Sequence, residues 1–215
     1  ENEDEAAAEM LYTFLCRRES TDIPFLQRIS HITSNYIKAG CSIDEIPVGD
    51  FFAPSQLDFT HGSYLCIDGT YYAYLLVPSD GYKSEVPAGW LSLLVNAGDG
   101  IDLDVFLTRQ PKDRMIRKLG QQLRINRSKI KETSDTNTDF DDLDSAIRSG
   151  YFLKDGLSNH EDFYYLNLLI TVTADTPDDL DWKCAEMKKL LISQDMNVQS
   201  CNFCQEQALR SSFPL

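Results

Sequence analysis

The chain has 215 residues, 42% hydrophobic and 11% aromatic, which is enough for the core of an ordinary domain and excludes collagen-like and disordered classes. Its net charge of −14 argues against nonspecific binding to duplex nucleic acid by the surface as a whole. No run of about eighteen apolar residues occurs, so no spanning helix is expected. The acidic start "ENEDEAAAEM" is unlike a signal peptide, and the missing initiator Met points to an excised fragment.

Residues 1–56 read as a small helical N-terminal region and linker. Glu5 to Arg18 is helix-like. "TDIPFLQRISHITSNYIKAG" offers Thr21 and Asp22 as caps, an apolar stripe of Phe25, Leu26, Ile29, Ile32, Tyr36 and Ile37, and Gly40 past the end.

Residues 57–215 change character. "GSYLCIDGTYYAYLLV" places two strand-like runs around Asp68-Gly69, a two-residue hairpin signal. "PAGWLSLLVNAG" predicts a short helix with Trp90 as a core anchor or a partner contact. "IDLDVFL" alternates, with Ile101, Leu103, Val105 and Leu107 facing one way and Asp102 and Asp104 the other. A long helix follows Pro111, its stripe running through Met115, Leu119, Leu123 and Ile130. "KETSDTNTDF" reads as a polar loop, and Thr138 to Asp141 opens a further helix with Leu143, Ile147 and Tyr151. "DFYYLNLLITVTAD" predicts the longest strand, with Tyr164, Leu166, Leu168, Ile170 and Val172 on a core face. "TPDDLDWKCAEMKKLLISQ" is a helix capped by Thr176 and burying Leu180, Cys184, Met187 and Leu191. "MNVQSCNF" returns as a last strand.

The order after residue 57 is β-β-α-β-(α-α)-β-α-β. It predicts an α+β fold with a ferredoxin-like split β-α-β sheet, right-handed crossovers and a helical insertion between the halves.

The sequence is poor in catalytic patterns. It has neither a P-loop nor a dinucleotide fingerprint, and "NAGDG" reads as a turn. His31, His61 and His160 have no metal-like or triad-like neighbours in sequence. "CNFC", residues 201–204, has zinc or redox spacing, but a zinc site needs two more ligands and a redox pair needs a helix start after it, where a strand end is expected. The six cysteines are scattered, which fits a reduced, cytoplasmic setting. "DTNTDFDDLDS" imitates the start of a calcium loop, yet Phe140 takes the glycine position and Ala146 the bidentate-acid position.

Charge is concentrated in one place. Residues 112–131 carry Lys112, Arg114, Arg117, Lys118, Arg124, Arg127, Lys129 and Lys131 against the single acid Asp113, a local +7 beside −21 elsewhere. Such an arm could meet phosphates, anionic lipid or an acidic protein surface. Tyr151, Phe152, Tyr164 and Tyr165 are the aromatics that a sheet-based stacking platform would use, although Tyr164 shares its face with core residues. The candidate interaction surface is Trp90, Arg114, Arg117, Lys118, Arg124 and Arg127, with no catalytic, cofactor or metal residue.

Four segments, in order, resemble the N-terminal domain of the conjugative, type IV secretion ATPases (TraC-like and VirB-four-like proteins). They are "HGSYLCIDGTYYAYLLV", "VPAGWLSLLVNAGDGIDLDVFL", "FYYLNLLITVTADTPDDLDWKCAEMKKLL" and the exit "QEQALRSSFPL". The resemblance covers about residues 57–215 and leaves 1–56 as a variable lead-in. It implies a parent ATPase whose RecA-like domain, with its ATP and Mg sites, lies beyond this chain. It also implies that this part docks the motor to membrane components of a conjugation channel and supports self-association. The expected place is the cytoplasm, peripheral to the inner face of the cell membrane, with no catalysis by the fragment itself. The alternative expectation is a nucleic-acid-binding ferredoxin-like module that uses the basic helix 112–131 on DNA.

Overall fold

The computed structural model describes residues 25–54, 56–83, 86–132 and 138–213. The expected helix over Glu5–Arg18, the Thr21 and Asp22 caps, the 133–137 part of the acidic loop and the last two residues of the exit lie outside them. So do the side chains of Phe25, Leu26, Thr138 and Asp139.

Helix α1 spans Phe25–Lys38. Its end is closed by two backbone bonds, Cys41 N–H to Tyr36 O and Gly40 N–H to Ile37 O, with Gly40 at φ 84°. A residue with a Cβ resists that left-handed geometry, so glycine terminates the helix there. A 3-10 turn at Ile43–Glu45 follows, then the short α2, Val48–Phe52. The Tyr36 hydroxyl donates to the Asp50 carboxylate, and this bond, followed by burial, raises the Tyr36 pKa.

The strands are β1 Leu57–Asp58, β2 Leu65–Ile67, β3 Thr70–Val77, β4 Ile101–Gln110, β5 Phe163–Ala174 and β6 Gln199–Ser200. The helices among them are α3 Ser92–Val95, α4 Lys112–Glu132, α5 Thr138–Ser158, α6 Pro177–Ser193 and α7 Gln205–Ser211. The fold is α+β. The sheet order is β1-β2-β3-β5-β4, and β6 pairs antiparallel with β3 at Leu75 and Leu76, beyond the part of β3 paired to β2. Two β-α-β runs, β3-α3-β4 and β5-α6-β6, are therefore interleaved. β5 separates β3 from β4, and β6 pairs with β3 rather than with β5, which is the split order.

The hairpin joining β2 to β3 turns on Asp68 and Gly69, at φ 48° and 87°. Two successive left-handed residues give a turn whose twist matches the strands. Leu168 to Val172 in β5, and Tyr72 to Leu75 in β3, are buried without a break. Uninterrupted burial, rather than alternation, marks strands covered on both faces.

The described residues form two compact units. One comprises those up to Tyr74, with Val172–Cys184 and Cys201 onward. The other comprises Leu75–Thr171 and Ala185–Ser200. In the first unit, Thr176 caps α6 by accepting the Asp179 N–H at 3.3 Å, and Leu180 and Cys184 are buried. In the second, Met187 and Leu191 continue the apolar stripe of α6. The C-terminal segment is tied within the first unit, where Phe203 N–H donates to Gly62 O at 2.8 Å and the Gln205 side chain donates to the same oxygen. In the second, Asn197 N–H donates to Gly81 O at 2.6 Å, and the Asn167 side chain accepts from Ser79 N–H at 2.9 Å.

Several expectations change. The alternation of β4 does not carry into burial. Ile101 and Leu103 are half-buried, but Val105, Phe106 and Leu107 are all exposed, and Asp104 is half-buried. β4 lies at the end of the strand order, so less of it is covered than its pattern suggests. Tyr164, expected in the core with Leu168, is exposed. Helix α3 is a single turn, and Trp90 sits in the turn before it. β6 stops after two residues, and "CNFC" leads directly into α7 instead of ending a strand.

A basic cleft between two helices

α4 and α5, the helical insertion, pack together within the second unit. Met115 and Leu123 are buried on α4, and Leu157 on α5. Asn126 is buried too, its carboxamide oxygen accepting from Gln122 at 3.1 Å. Gly150 makes room for a contact between them: a Cβ there would lie 2.9 Å from Leu123 Cδ2. Small residues at a crossing let two helix backbones approach.

The two helices also line a cleft of about 620 Å³. Its cations are Arg117, Arg124 and Arg127 from α4 and Lys154 from α5. Ile116 and Leu123 add apolar surface, and Gly120 leaves room, since nothing lies within 4 Å of where its Cβ would be. Tyr151 of α5 completes the wall, with the Arg127 guanidinium 5.8 Å from its ring centroid. Spacing explains the cluster: 117, 120, 124 and 127 follow the three-and-four rhythm that puts side chains on one helix face. Arg124 Nε also donates to Gly120 O at 3.2 Å. Among the described residues, none of these four cations has a carboxylate within salt-bridge distance. By contrast, Arg148 on the same α5 is paired with Asp144 at 2.6 Å.

Of the six residues expected to form an interaction surface, the cleft gathers Arg117, Arg124 and Arg127. Lys118 turns away, donating to the Tyr165 hydroxyl at 2.9 Å with its ammonium 5.5 Å from that ring's centroid. Arg114 is exposed on α4 outside the cleft lining. Trp90 is half-buried, its ring 5.4 Å from that of Tyr82. Lys154 and Gln121 are further lining residues, outside those six. Tyr151 and Phe152 belong to helix α5 and not to a sheet platform, and Tyr165 pairs edge-on with Phe163. The sequence signal for Lys154 and Tyr151 was their i, i+3 spacing, which becomes informative once α5 is known to face α4.

The remaining candidates are quieter. His31 is exposed, and His61 stacks on Tyr64 at 4.4 Å. Burial, aided by the charge and the hydrogen bond of Cys204, pushes the Cys201 thiol up to about 11. Redox and metal-binding cysteines are shifted the other way. The thiol is thus held protonated in the folded state, and that contribution to stability is present below the ordinary thiol range and fades as pH rises toward about 11. Cys201 is expected to alkylate more slowly than a free cysteine at neutral pH, measured by mass spectrometry of iodoacetamide-treated folded protein. A rate above that of free cysteine would contradict the shift. No group of three or more His, Cys, Asp or Glu residues poised for a metal occurs among the described residues, and none of their helices is long and apolar enough to cross a membrane.

The chain matches no protein-family model and no curated protein sequence.

Proposed function

We propose that this chain is the docking and assembly domain of a conjugative-transfer, type IV secretion ATPase. It works in the cytoplasm against the inner face of the membrane and has no catalysis of its own. ATP and Mg belong to a motor domain elsewhere in the parent protein, and the partners are membrane components of the channel together with other copies of the motor. The conjugation part of the reading is supported by the four resembling segments, which fall on the β2–β3 hairpin, α3–β4, β5–α6 and α7.

The docking part is carried by one observation. β4 is ten residues long, lies at the end of the sheet, and exposes Val105, Phe106 and Leu107 in succession. An exposed apolar edge invites another chain to add a strand, with main-chain hydrogen bonds supplying affinity and side chains supplying selectivity. The occupant that fits is an extended segment of a channel component.

The test uses the full-length parent. Val105→Lys with Leu107→Lys places charge on that edge without touching buried residues. Plasmid transfer is expected to fall by about tenfold or more, the equivalent of at least ~1.4 kcal/mol of docking energy, with the melting temperature unchanged. Unchanged transfer would remove β4 as the docking edge. Sequencing the coding region downstream tests the parent independently: a Gly-x-x-x-x-Gly-Lys-Ser/Thr pattern is expected, and its absence would refute the motor assignment.

A further inference from the structure

We infer that the α4–α5 cleft is a binding site for a nucleotide unit, with its phosphates on the guanidinium groups and its base on Tyr151. The inference stands on the cleft itself and does not depend on the docking reading.

Three features carry it. First, the cations are concentrated in a concavity instead of being spread over a face. Arg117, Arg124, Arg127 and Lys154 converge from two helices, and among the described residues none of them is neutralised by an ion pair. Clustered like charges repel, and the acidic rest of the chain supplies ample carboxylates that could have paired with them. Guanidinium groups also match phosphate oxygens as bidentate donors. Second, the wall holds an aromatic ring at the same place. Tyr151 is exposed and has the Arg127 guanidinium over its ring, 5.8 Å from the centroid, so a base can stack on the guanidinium plane or on the ring's other face. Third, the volume fits. A cleft of about 620 Å³ lies within the range of small-ligand sites, and the open space at Gly120 deepens it.

The net charge of −14 does not oppose this, because acidic groups more than about 10 Å away are screened at ordinary ionic strength. A flat anionic membrane needs no concavity, whereas these cations line one together with an aromatic ring. An acidic peptide would use the cations but has no need of the ring.

The same chemistry could come from a single strand of nucleic acid or from a free nucleotide, and the experiment separates them. The protein, residues 1–215, is titrated at low salt into a short fluorescein-labelled oligothymidylate and followed by anisotropy. ATP, inorganic phosphate and anionic phospholipid vesicles serve as competitors. Binding of the oligomer, with ATP competing only weakly, identifies a strand. ATP competing on a par with the oligomer identifies a free nucleotide. In either case Tyr151→Ala is expected to weaken binding about tenfold while Tyr151→Phe retains it, as loss of one stacked base predicts. Arg124→Gln and Lys154→Gln should each weaken binding and flatten its salt dependence, since each removes a phosphate contact. All three side chains line an open cleft, and a thermal melt of each of the four variants checks that the fold is intact.

Three outcomes overturn the inference. In the first, the oligomer and ATP both fail to bind at low salt. In the second, Tyr151→Ala binds like Tyr151→Phe, which leaves a plain polyelectrolyte effect. In the third, inorganic phosphate or vesicles displace the labelled oligomer as well as unlabelled oligomer does, which leaves an anion or membrane surface with no place for a base.

Discussion

Leu168→Ala is expected to cost about 4 kcal/mol of unfolding free energy, while Trp90→Ala costs about 1–2 kcal/mol. Placed in the core by the sequence pattern, the two residues have equal standing, each expected to cost about 2–5 kcal/mol on truncation. The structure separates them. Leu168 has no solvent exposure and lies in the unbroken buried run of β5. Truncation there removes buried methyl groups and leaves a void that a strand buried on both sides cannot collapse to fill. Trp90 lies in a turn, half-exposed, with Tyr82 as its aromatic neighbour. Part of its ring is already in water, and the turn can adjust. Chemical denaturation with a common slope for both variants measures the difference. Equal losses would place Trp90 in the core and contradict the exposure assigned to it.

The fold was legible wherever a local signal was sufficient. Asp68-Gly69 specified its turn because left-handed backbone is chemically restricted. Thr176, Pro177 and the stripe of Leu180, Cys184, Met187 and Leu191 marked α6 because caps and 3.6-residue periodicity are properties of one helix. The split order followed from element sequence and crossover rules. What failed was coverage. The period-2 pattern of β4 states which side chains share a face, but whether anything lies over that face depends on where the strand stands in the sheet. Tyr164 failed for the same reason: it keeps the parity of Leu168 yet lies near the start of β5, outside the stretch where burial becomes continuous.

The site was half legible. Arg117, Arg124 and Arg127 stand on one helix, so their spacing alone groups them. Lys154 and Tyr151 stand on another helix, and their membership depends on the way α5 packs against α4. Gly150, whose missing Cβ leaves room for Leu123, carries no signal of its own, because a glycine within a helix has no local feature that names its neighbour. Lys118 shows the converse error. It carries the same charge as its neighbours, but one step around the helix directs it to Tyr165 instead of the cleft.

Gly81→Val should be the second severe substitution, with a loss of about 2–3 kcal/mol. A Cβ at Gly81 would lie 2.9 Å from the Asn197 carbonyl oxygen and from Pro78 Cδ, and 3.1 Å from the Pro78 carbonyl oxygen. Two of those three atoms are backbone and the third belongs to a rigid ring, so no flexible side-chain end can swing aside. The same residue donates its N–H to Pro78 O at 2.8 Å and accepts from Asn197 N–H at 2.6 Å. Room for a Cβ can be made only by stretching one of these bonds, and the bond to Asn197 holds the segment that leads into β6. Gly62→Ala is the informative control. Its Cβ would also clash, at 2.5 Å, but with the ring of Phe203, which is 88% exposed and free to rotate outward. Thermal melts should therefore show a large drop for Gly81→Val, with Gly81→Ala intermediate, and a small one for Gly62→Ala. Comparable drops for Gly81→Ala and Gly62→Ala would mean that the backbone around Gly81 yields as readily as an exposed ring, and that Asn197 is not held there.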